Sequence, residues 1–493
     1  MNRFKLNRLK LNSPMPAMLK RCVALAAIAV LTEVVAGAPR DGGETTWTVM
    51  IYGGVDSSAE SYLFPHLADL KDGSRWGVRG DVVLLIDRVK GSTSDRRVLG
   101  EDFADTRLFH LGEGRWDRMG GGEAFPDITT TSKFEANTGD ARTLRKFVRF
   151  AKQTYPADRY ALILFGHGES RSVCPDVSNP CADSGEFEDA MFTAEISERL
   201  SAEESVDLLW VDVCSFGSVE NAYPFRPRSD RFSTKVMLTS PSLSFPAPML
   251  DVLRACGIVK EAHAENGVVK NATGFATAAI ETIGPILERR EATKARVERE
   301  AWAAYDLDRV GAVKQAVDAL AVELADGDQR VAVGDVRGWG EDRRTLDYMY
   351  FRDPQRWVSS AHFDLHDFAR RLGDDGRFSE GIRQQAGELA RAVDAMVIAS
   401  VGMDRGGAFS PGQHGLYIVF PGGVPTVGDA AVWSFFRWYH PGDQRTLRTA
   451  YGSYDWCRDG ALPDNGRVEN WFELLDSWLD VNDASGGFNG YRW

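Results

Sequence analysis

The sequence predicts an α/β fold in which a mostly parallel central sheet is covered by helices on both faces. Short, continuously apolar segments alternate with segments of helical periodicity, which is typical of such sheets. The chain has 493 residues, 43% of them hydrophobic and 26% charged, so it can bury a sizeable core. Its net charge of -13 argues against a general nucleic-acid binder and against binding to anionic membranes.

The strands are predicted from apolar segments bounded by glycine, proline or charged residues. They are Trp47–Tyr52, Asp81–Asp87, Tyr160–Phe165, Val206–Val213, Lys235–Ser240 and Gly415–Phe420. The helices are predicted from apolar positions three and four residues apart. They begin at Ser58 (interrupted by Pro65), at Thr138, at Thr193 (as the cap of a helix to Leu200) and near Asp306 or Asp308.

Residues 1–38 are predicted to be an export signal. A basic start precedes the apolar segment Cys22–Leu31, which is too short to span a bilayer, and small residues follow at Ala36–Ala38. An N-terminal membrane anchor is the alternative, and Met18 is an alternative start. We therefore expect a mature protein without a membrane segment, exported to a periplasm or secreted.

The remaining chain divides into three predicted parts. Residues 44–257 form the α/β core, and residues 258–400 form a mostly helical region rich in Glu, Arg and Ala. Residues 401–493 complete the fold with one strand and end in a loose tail. The central region is interpreted as ordinary amphipathic helices, and nothing in it identifies a partner.

A histidine and a cysteine follow two neighbouring predicted strands. Residues 160–165 lead into Gly166-His167-Gly168, and residues 206–213 lead into Cys214. Active groups gather beyond the carboxyl ends of parallel strands, and a thiol needs a base such as imidazole to become a nucleophile. The Gly168 and Cys214 amides are candidates for an oxyanion hole. A helix predicted at residues 218–223 is expected to lower the pKa of the thiol.

Asp212 shares a strand face with Cys214, because residues i and i+2 point to the same side. A carboxylate beside a thiol disfavours the thiolate. A role as the acceptor of a cationic substrate side chain would explain Asp212, and the spacing fits a helix cap or a local salt bridge equally well.

These segments resemble the clostripain family of cysteine peptidases in the caspase-like clan. The resemblance covers most of residues 47–490 and depends on three blocks: WTVMIYGGVDSSAESYL, YALILFGHGES and VDLLWVDVCSFGSVENAY. VMLTSPSLSFPAPMLDVL and GLYIVFP are also similar to later family blocks. The resemblance implies a caspase-like α/β/α sandwich with a mostly parallel central sheet, supplemented by a helical insertion and a C-terminal region.

The resemblance also implies residue roles. His167 and Cys214 fall on the positions of a catalytic dyad. Asp212 falls on the acid that receives Arg or Lys before the scissile bond, and Ser240 on a position bordering that pocket. The implied function is an exported cysteine endopeptidase that cleaves protein or peptide substrates after Arg or Lys. The alternatives are a non-catalytic binding protein on this scaffold and a related cysteine peptidase with another specificity. The sequence does not predict the oligomeric state.

The loop after His167 departs from the family pattern. Family members are often activated by self-cleavage after a basic residue there, but residues 169–192 contain only Arg171. A disulfide between Cys174 and Cys181 is favoured over free thiols. Some family members depend on calcium, and the acids in this loop could bind it. A solvated acidic loop is the favoured interpretation, and no cofactor is predicted to be required. These acids are Asp176, Asp183, Glu186, Glu188 and Asp189.

No metal site is predicted elsewhere. His362 and His366 have a spacing that suits one helix face, but no third ligand accompanies them. Asp56 is interpreted as a turn or cap residue. Cys256 and Cys457 are expected to be buried or paired.

Overall fold

The structure is a computed structural model that describes most of the chain from residue 45 to residue 479. The predicted export signal and the tail from residue 480 lie outside the described residues. No helix within the described part is long and apolar enough to cross a membrane. The described ranges are 45–169, 172–179, 189–262, 267–292, 300–327, 329–338, 344–348, 362–404, 407–410, 412–420, 451–460 and 466–479.

Strands and helices alternate along the chain as the sequence predicts. The strands are β1 (Trp47–Val55), β2 (Asp81–Arg88), β3 (Thr106–Gly112), β4 (Arg115–Met119), β5 (Arg159–Gly166), β6 (Gly168–Glu169), β7 (Ser172–Asp176), β8 (Asp189–Phe192), β9 (Val206–Asp212), β10 (Thr234–Thr239), β11 (Ala301–Asp306), β12 (His362–Asp364), β13 (Val397–Asp404), β14 (Gly407–Ala408) and β15 (Tyr417–Val419). The helices are α1 (Glu60–Gly73), α2 (Ala141–Thr154), α3 (Thr193–Arg199), α4 (Val219–Ala222), α5 (Met249–Ala255), α6 (Ala272–Ala292), α7 (Val310–Ala325), α8 (Arg330–Arg337), α9 (Leu365–Asp374), α10 (Glu380–Met396), α11 (Asp455–Arg458) and α12 (Trp471–Leu479).

One large sheet forms the centre of the described chain, in the order β14-β13-β11-β10-β9-β5-β1-β2-β3-β4. The five strands from β10 to β2 in this order are parallel, and antiparallel strands extend the sheet at both ends. Two small antiparallel sheets accompany it, one of β6, β7 and β8 and one of β12 and β15. The predicted α/β class with a mostly parallel central sheet is confirmed.

Alternate residues of each central strand enter two separate cores. In β1, Val49 and Ile51 pack with residues of α1, α5 and α6 on one face of the sheet. Met50 and Tyr52 pack with residues of α2 and the later helices on the other face. Both faces are apolar because both are covered, which explains why the strands are continuously hydrophobic in the sequence.

Two predicted helix starts differ from the structure because side chains bond elsewhere. Helix α2 begins after Asp140, whose carboxylate accepts from the Arg142 amide at 2.8 Å, whereas Thr138 donates from its amide to Asp176 at 2.7 Å. Helix α3 has Phe192 as its N-cap, and Thr193 is its first helical residue. The Thr193 hydroxyl bonds to Asn221 at 3.1 Å instead of capping the helix.

Helix α1 continues through Pro65 instead of stopping there. The region 258–400, expected to be mostly helical, contains five helices in its described part but also adds β11 and the start of β13 to the main sheet. Strand β11 is rich in alanine, which is typical of helices and hides the strand in the sequence. The domain boundaries themselves stay predictions.

Candidate active site

The strand register places the predicted catalytic pair at one level of the sheet. Phe165 of β5 is paired with Asp212 of β9, and the two strands are parallel. His167 and Cys214 each follow two residues later, so both lie just beyond the same edge. Strand β1 lies on the other side of β5, and the sheet order reverses around it. This edge is where ligands bind in open parallel sheets.

A cleft of about 140 Å³ opens at this edge. His167 is exposed on it, Cys214 is partly buried, and Asp212 is only 3% exposed. Tyr62 and Phe245 are large exposed aromatic residues on the same cleft. The lining residues are Ala59, Tyr62, Phe165, Gly166, His167, Asp212, Val213, Cys214, Ser244, Phe245 and Pro246. The cleft therefore brings together the proposed dyad and the proposed acid of the pocket.

Gly168 keeps two turns in contact: residues 166–168 at the end of β5, here called the histidine loop, and residues 213–218 after β9, here called the cysteine loop. A Cβ atom at position 168 would overlap the Val213 side chain far inside van der Waals distance. The turn is further held by the Cys174 amide, which donates to the His167 carbonyl at 2.9 Å. The glycine is thus required by close packing between the two strand ends.

Ser58 contacts the imidazole directly, and the sequence analysis did not predict this. It lies between β1 and α1, and its Oγ is 2.7 Å from Nε2 of His167. Its position after the neighbouring strand β1 was the available signal, because the carboxyl ends of adjacent parallel strands meet. Ser58 holds the imidazole at the edge of the cleft.

The Cys214 thiol donates a hydrogen bond to the Ser244 carbonyl at 3.7 Å. Burial raises the pKa of this thiol, and the nearby carboxylates of Asp212 and Glu300 raise it further. The helix predicted at residues 218–223 is present as the single turn of α4, but the pKa of the thiol is raised and not lowered as expected. Formation of the thiolate therefore depends on a base.

The backbone after Cys214 is strained and is held by hydrogen bonds. Ser215 has φ of 54°, in the left-handed region that side chains disfavour. Its amide donates to the Ser242 carbonyl at 2.8 Å, and its carbonyl accepts from the Tyr417 hydroxyl at 2.7 Å. Ser240 is fully buried, and its carbonyl accepts from the amides of Phe216 and Gly217. Ser240 thus supports the cysteine loop and does not line the cleft.

Two carboxylates lie behind the cleft. Burial raises the pKa of Asp212 well above its usual range, and Glu300 raises it further. The Ala247 amide donates to Asp212 at 3.2 Å, and none of the ion pairs among the described residues includes Asp212. Glu300, which the sequence analysis missed, accepts from the Phe245 amide at 3.2 Å and pairs with Arg290 at 2.5 Å. Glu300 is therefore neutralised within the protein.

Sequence comparison identifies the family. A sequence model of the clostripain family matches residues 51–478. Clostripain of Hathewaya histolytica is 32% identical over 475 residues, which cover 90% of this chain and 89% of that protein. The chain belongs to the clostripain family. It is a cysteine peptidase, as the resemblance implied.

Solved clostripain-family structures have the same fold. An inactive zymogen of a C11 protease from Parabacteroides distasonis matches with a TM-score of 0.52 and 16% identity, over 86% of this chain and 99% of that one. A secreted C11 cysteine protease from Bacteroides thetaiotaomicron, in complex with an irreversible peptide inhibitor, matches with a TM-score of 0.52 and 15% identity. That match covers 83% of this chain and 99% of the other. The caspase-like α/β/α class implied by the family is confirmed.

An acidic cluster near the ends of β1 and β2 is a candidate calcium site, since the clostripain resemblance made calcium a candidate ligand. Carboxylate oxygens of Asp56, Asp87 and Glu135 lie within 4.8 Å of one another. Oδ1 of Asp56 is buried and has no hydrogen-bond partner among the described residues. Burial and neighbouring acids raise the pKa of Asp87, and the same causes raise the pKa of Glu135 to about 7. An orphaned oxygen among mutually repelling carboxylates fits a hard cation.

The predicted roles of the loop acids change accordingly. Asp176 adjoins this cluster, and burial together with Asp56 raises its pKa. Asp189 accepts from the Asn137 amide group at 2.9 Å, while Asp183, Glu186 and Glu188 lie outside the described residues. Asp56 lies in a turn, as one of the two interpretations had it. Its carbonyl accepts from the amide of residue 177, and its carboxylate accepts from the amide of residue 178.

The cysteines other than Cys214 are buried free thiols in the described part. Cys174, expected to pair with Cys181, packs against Gly54 with its sulfur 3.7 Å from the Phe165 carbonyl. Cys181 lies outside the described residues. Cys256 and Cys457 are buried and unpaired, which is one of the two predicted states.

We predict that Gly168→Ala abolishes most peptidase activity without unfolding the protein. The added methyl group must push the histidine loop away from Val213, and a displacement of this kind costs about 100-fold in rate. The measurement is kcat/KM with circular dichroism as a check on folding. Gly334→Ala is the matched control, since no atom lies within 4 Å of its Cβ position. An unimpaired Gly168→Ala variant would contradict the packing role.

Proposed function

We propose that the protein is an exported endopeptidase that cleaves after Arg or Lys through a dyad of Cys214 and His167. The observation that carries this proposal is the placement of both residues at one level of adjacent parallel strands, on a shared cleft. Family membership supports the reaction class. The solvent-exposed position of His167 leaves room for a substrate beside it.

The reaction follows from the chemistry of the two side chains. His167 takes the proton of Cys214, and the thiolate sulfur bonds to the carbonyl carbon of the substrate. The carbonyl oxygen becomes an oxyanion, for which the amides of Gly168 and Cys214 are the proposed donors. The amide bond breaks as His167 returns its proton to the leaving amine. Water, deprotonated by the same imidazole, then releases the acyl group from sulfur.

The buried carboxylate of Asp212 supports the preference for basic residues. It lies at the back of the cleft, its pKa is raised by burial, and no described cation pairs with it. Glu300 is already paired with Arg290, so Asp212 is the carboxylate left for a substrate cation. A guanidinium or ammonium group reaching it would favour its ionised form and gain a charge-assisted hydrogen bond.

Export is proposed from residues 1–38 of the sequence. The basic start, the short apolar segment and the small residues before Pro39 are typical of a cleaved signal. One relative of known structure is described as a secreted C11 cysteine protease. The substrates are accordingly proteins or peptides outside the cytoplasm that carry accessible Arg or Lys residues.

Calcium is proposed as a ligand of the acidic cluster. The residues that would hold it are Asp56, Asp87 and Glu135, with Asp176 adjoining them. A bound cation supplies positive charge that relieves repulsion between these acids. Asp56 also binds the amides of residues 177 and 178, which belong to the loop after His167. Calcium would therefore order this loop beside the cleft and takes no part in bond cleavage.

We predict that Cys214→Ala and His167→Ala each abolish cleavage of peptide amides ending in Arg or Lys. The thiol supplies the bond-forming atom, and burial makes it dependent on the imidazole for its deprotonation. The assay compares these variants with His110→Ala, which changes a histidine in β3 bonded to Asp81. Cleavage by the Cys214→Ala protein would refute the dyad. If the unsubstituted chain is silent, labelling of Cys214 by an arginyl electrophile separates a zymogen from a binding protein.

We predict that Asp212→Asn lowers kcat/KM for Arg and Lys substrates by at least about 30-fold, since losing one partner of a buried charge pair costs roughly 2–5 kcal/mol. Substrates with Asn or Ala before the scissile bond should be affected far less. Asp207→Asn, at the other end of β9, is the matched control. Because the pKa of Asp212 is raised, a larger fraction of its carboxyl group ionises as the pH rises. The preference for basic residues should therefore strengthen with pH in the parent protein and not in Asp212→Asn. Equal losses on all substrates would reject the pocket role.

We predict that without calcium the Tm falls as pH rises from about 5 to about 7.5. Unfolded carboxylic acids release protons near pH 4, whereas Glu135 keeps its proton to about pH 7 in the folded state. The folded state thus binds more protons in this window, and its stability decreases with pH. Calcium, which binds the ionised acids, should raise the Tm most at the high end.

The variant Glu135→Gln should flatten this pH dependence, and Glu123→Gln, an exposed substitution, should leave it unchanged. Differential scanning calorimetry with calcium or chelator measures both effects. A calcium response that survives in Asp56→Asn and Glu135→Gln would place the ion elsewhere.

A further inference from the structure

Three side chains of the types that bind metals, one buried and two partly exposed, meet far along the chain from His167 and Cys214. His366 lies in the first turn of α9, Asp394 near the end of α10, and His414 in the segment before β15. The Nε2 atoms of both histidines are 3.2 Å from Oδ1 of Asp394. One ligand atom of each residue lies within 4.8 Å of the others. The spacing between His362 and His366 had suggested a different pair, but His362 lies in β12 and stacks on Tyr417.

The tautomer of His366 is defined by a backbone contact. Its Nδ1 is 2.6 Å from the Gly412 carbonyl, which can only accept, so Nδ1 carries the hydrogen. Nε2 then faces Oδ1 of Asp394. In a neutral ring Nε2 carries no hydrogen, so its lone pair and a lone pair of the carboxylate oxygen point at each other. A shared cation between these atoms removes the conflict. A ring nitrogen bonded to a backbone carbonyl is also the usual outer contact of a metal-binding histidine.

The distances suit a small tetrahedral ion. With metal–ligand bonds of about 2.0–2.2 Å, neighbouring ligand atoms of a tetrahedral zinc site lie about 3.3 Å apart. The observed separations of 3.2 Å between each imidazole nitrogen and the carboxylate oxygen agree with this value. Two imidazoles and one carboxylate are a donor set that zinc and similar ions prefer, whereas calcium prefers oxygen ligands.

The neighbouring arginine Arg370 is paired with other acids, so Asp394 and the two histidines remain available to bind a metal. Arg370, the closest cation on α9, pairs with Asp374 at 3.0 Å and with Asp367 at 3.4 Å. The side chains of Asp394 and His414 are 51% and 29% exposed, so a water molecule can complete the coordination from the solvent side.

We propose that His366, Asp394 and His414 bind a divalent transition metal of the zinc type in a structural site. The site ties the segment that leads to β15 to helices α9 and α10. Three residues after His414, Tyr417 donates to the Ser215 carbonyl next to the nucleophile. Metal binding is thus expected to stabilise a segment that braces the cysteine loop, without taking part in peptide cleavage.

The test uses the full chain carrying Cys214→Ala, because the Cys214 thiol could otherwise bind zinc together with His167. After removal of metals with a chelator, calorimetric titration with zinc should give one tight site, and saturation should raise the Tm by about 2 °C or more. His414→Ala and Asp394→Asn should each weaken this binding at least about 100-fold. Glu388→Gln, a half-exposed acid on the same helix as Asp394, is the control and should bind zinc as the parent does.

Each remaining outcome decides against the site. Equal zinc affinity in the parent and in the His414→Ala protein would place the metal elsewhere, and absence of binding at millimolar zinc would overturn the proposal. Displacement of the zinc by equimolar calcium would overturn the assigned ion class. Because the readouts are binding and Tm, failure of the proposed peptidase specificity does not affect the result.

Discussion

The parallel pairing of β5 with β9 is the constraint on which the rest of the site depends. It aligns Phe165 with Asp212, so that His167 and Cys214, two residues further on, lie at the same level beyond the edge of the sheet. A slip of one residue would turn Asp212 away from the cleft and exchange the buried faces of β9. The continuous apolar character of both strands does not itself prevent a slip. Specific contacts such as that of Gly168 with Val213 select the register.

Burial sets the resting state of the charged groups at the cleft. The Cys214 thiol and the Asp212 carboxyl both have raised pKa values, chiefly because of burial. Without substrate, both groups are therefore biased towards their neutral forms, which avoids two adjacent anions in an apolar site. A cationic substrate side chain at Asp212 would reverse this bias for the carboxylate. It would also reduce the repulsion that Asp212 exerts on a thiolate at Cys214.

The strands and the positions of His167 and Cys214 at their ends could be predicted because their signals are local. A buried parallel strand is a continuous apolar segment, and His167 and Cys214 stand directly at the ends of two such segments. Ser58 and Glu300 were not assigned, because their contacts with His167 and with the Phe245 amide join segments far apart in the chain.

The cysteine loop shows why the C-terminal part belongs to the catalytic unit although the described cleft residues all precede residue 247. Ser215 holds a left-handed backbone that its own sequence does not favour, and its carbonyl is bonded by Tyr417. A few residues on, the buried Glu220 accepts from the Val419 amide and from the Tyr451 hydroxyl, both at 2.9 Å. Burial raises the pKa of Glu220 to about 7, so these donors are what keeps its charge tolerable near neutral pH. The strained turn after Cys214 is therefore stabilised by residues some 200 positions later. The strained conformation of Ser215 persists only while this distant segment is in place. The geometry of Cys214 therefore requires that the C-terminal part be folded.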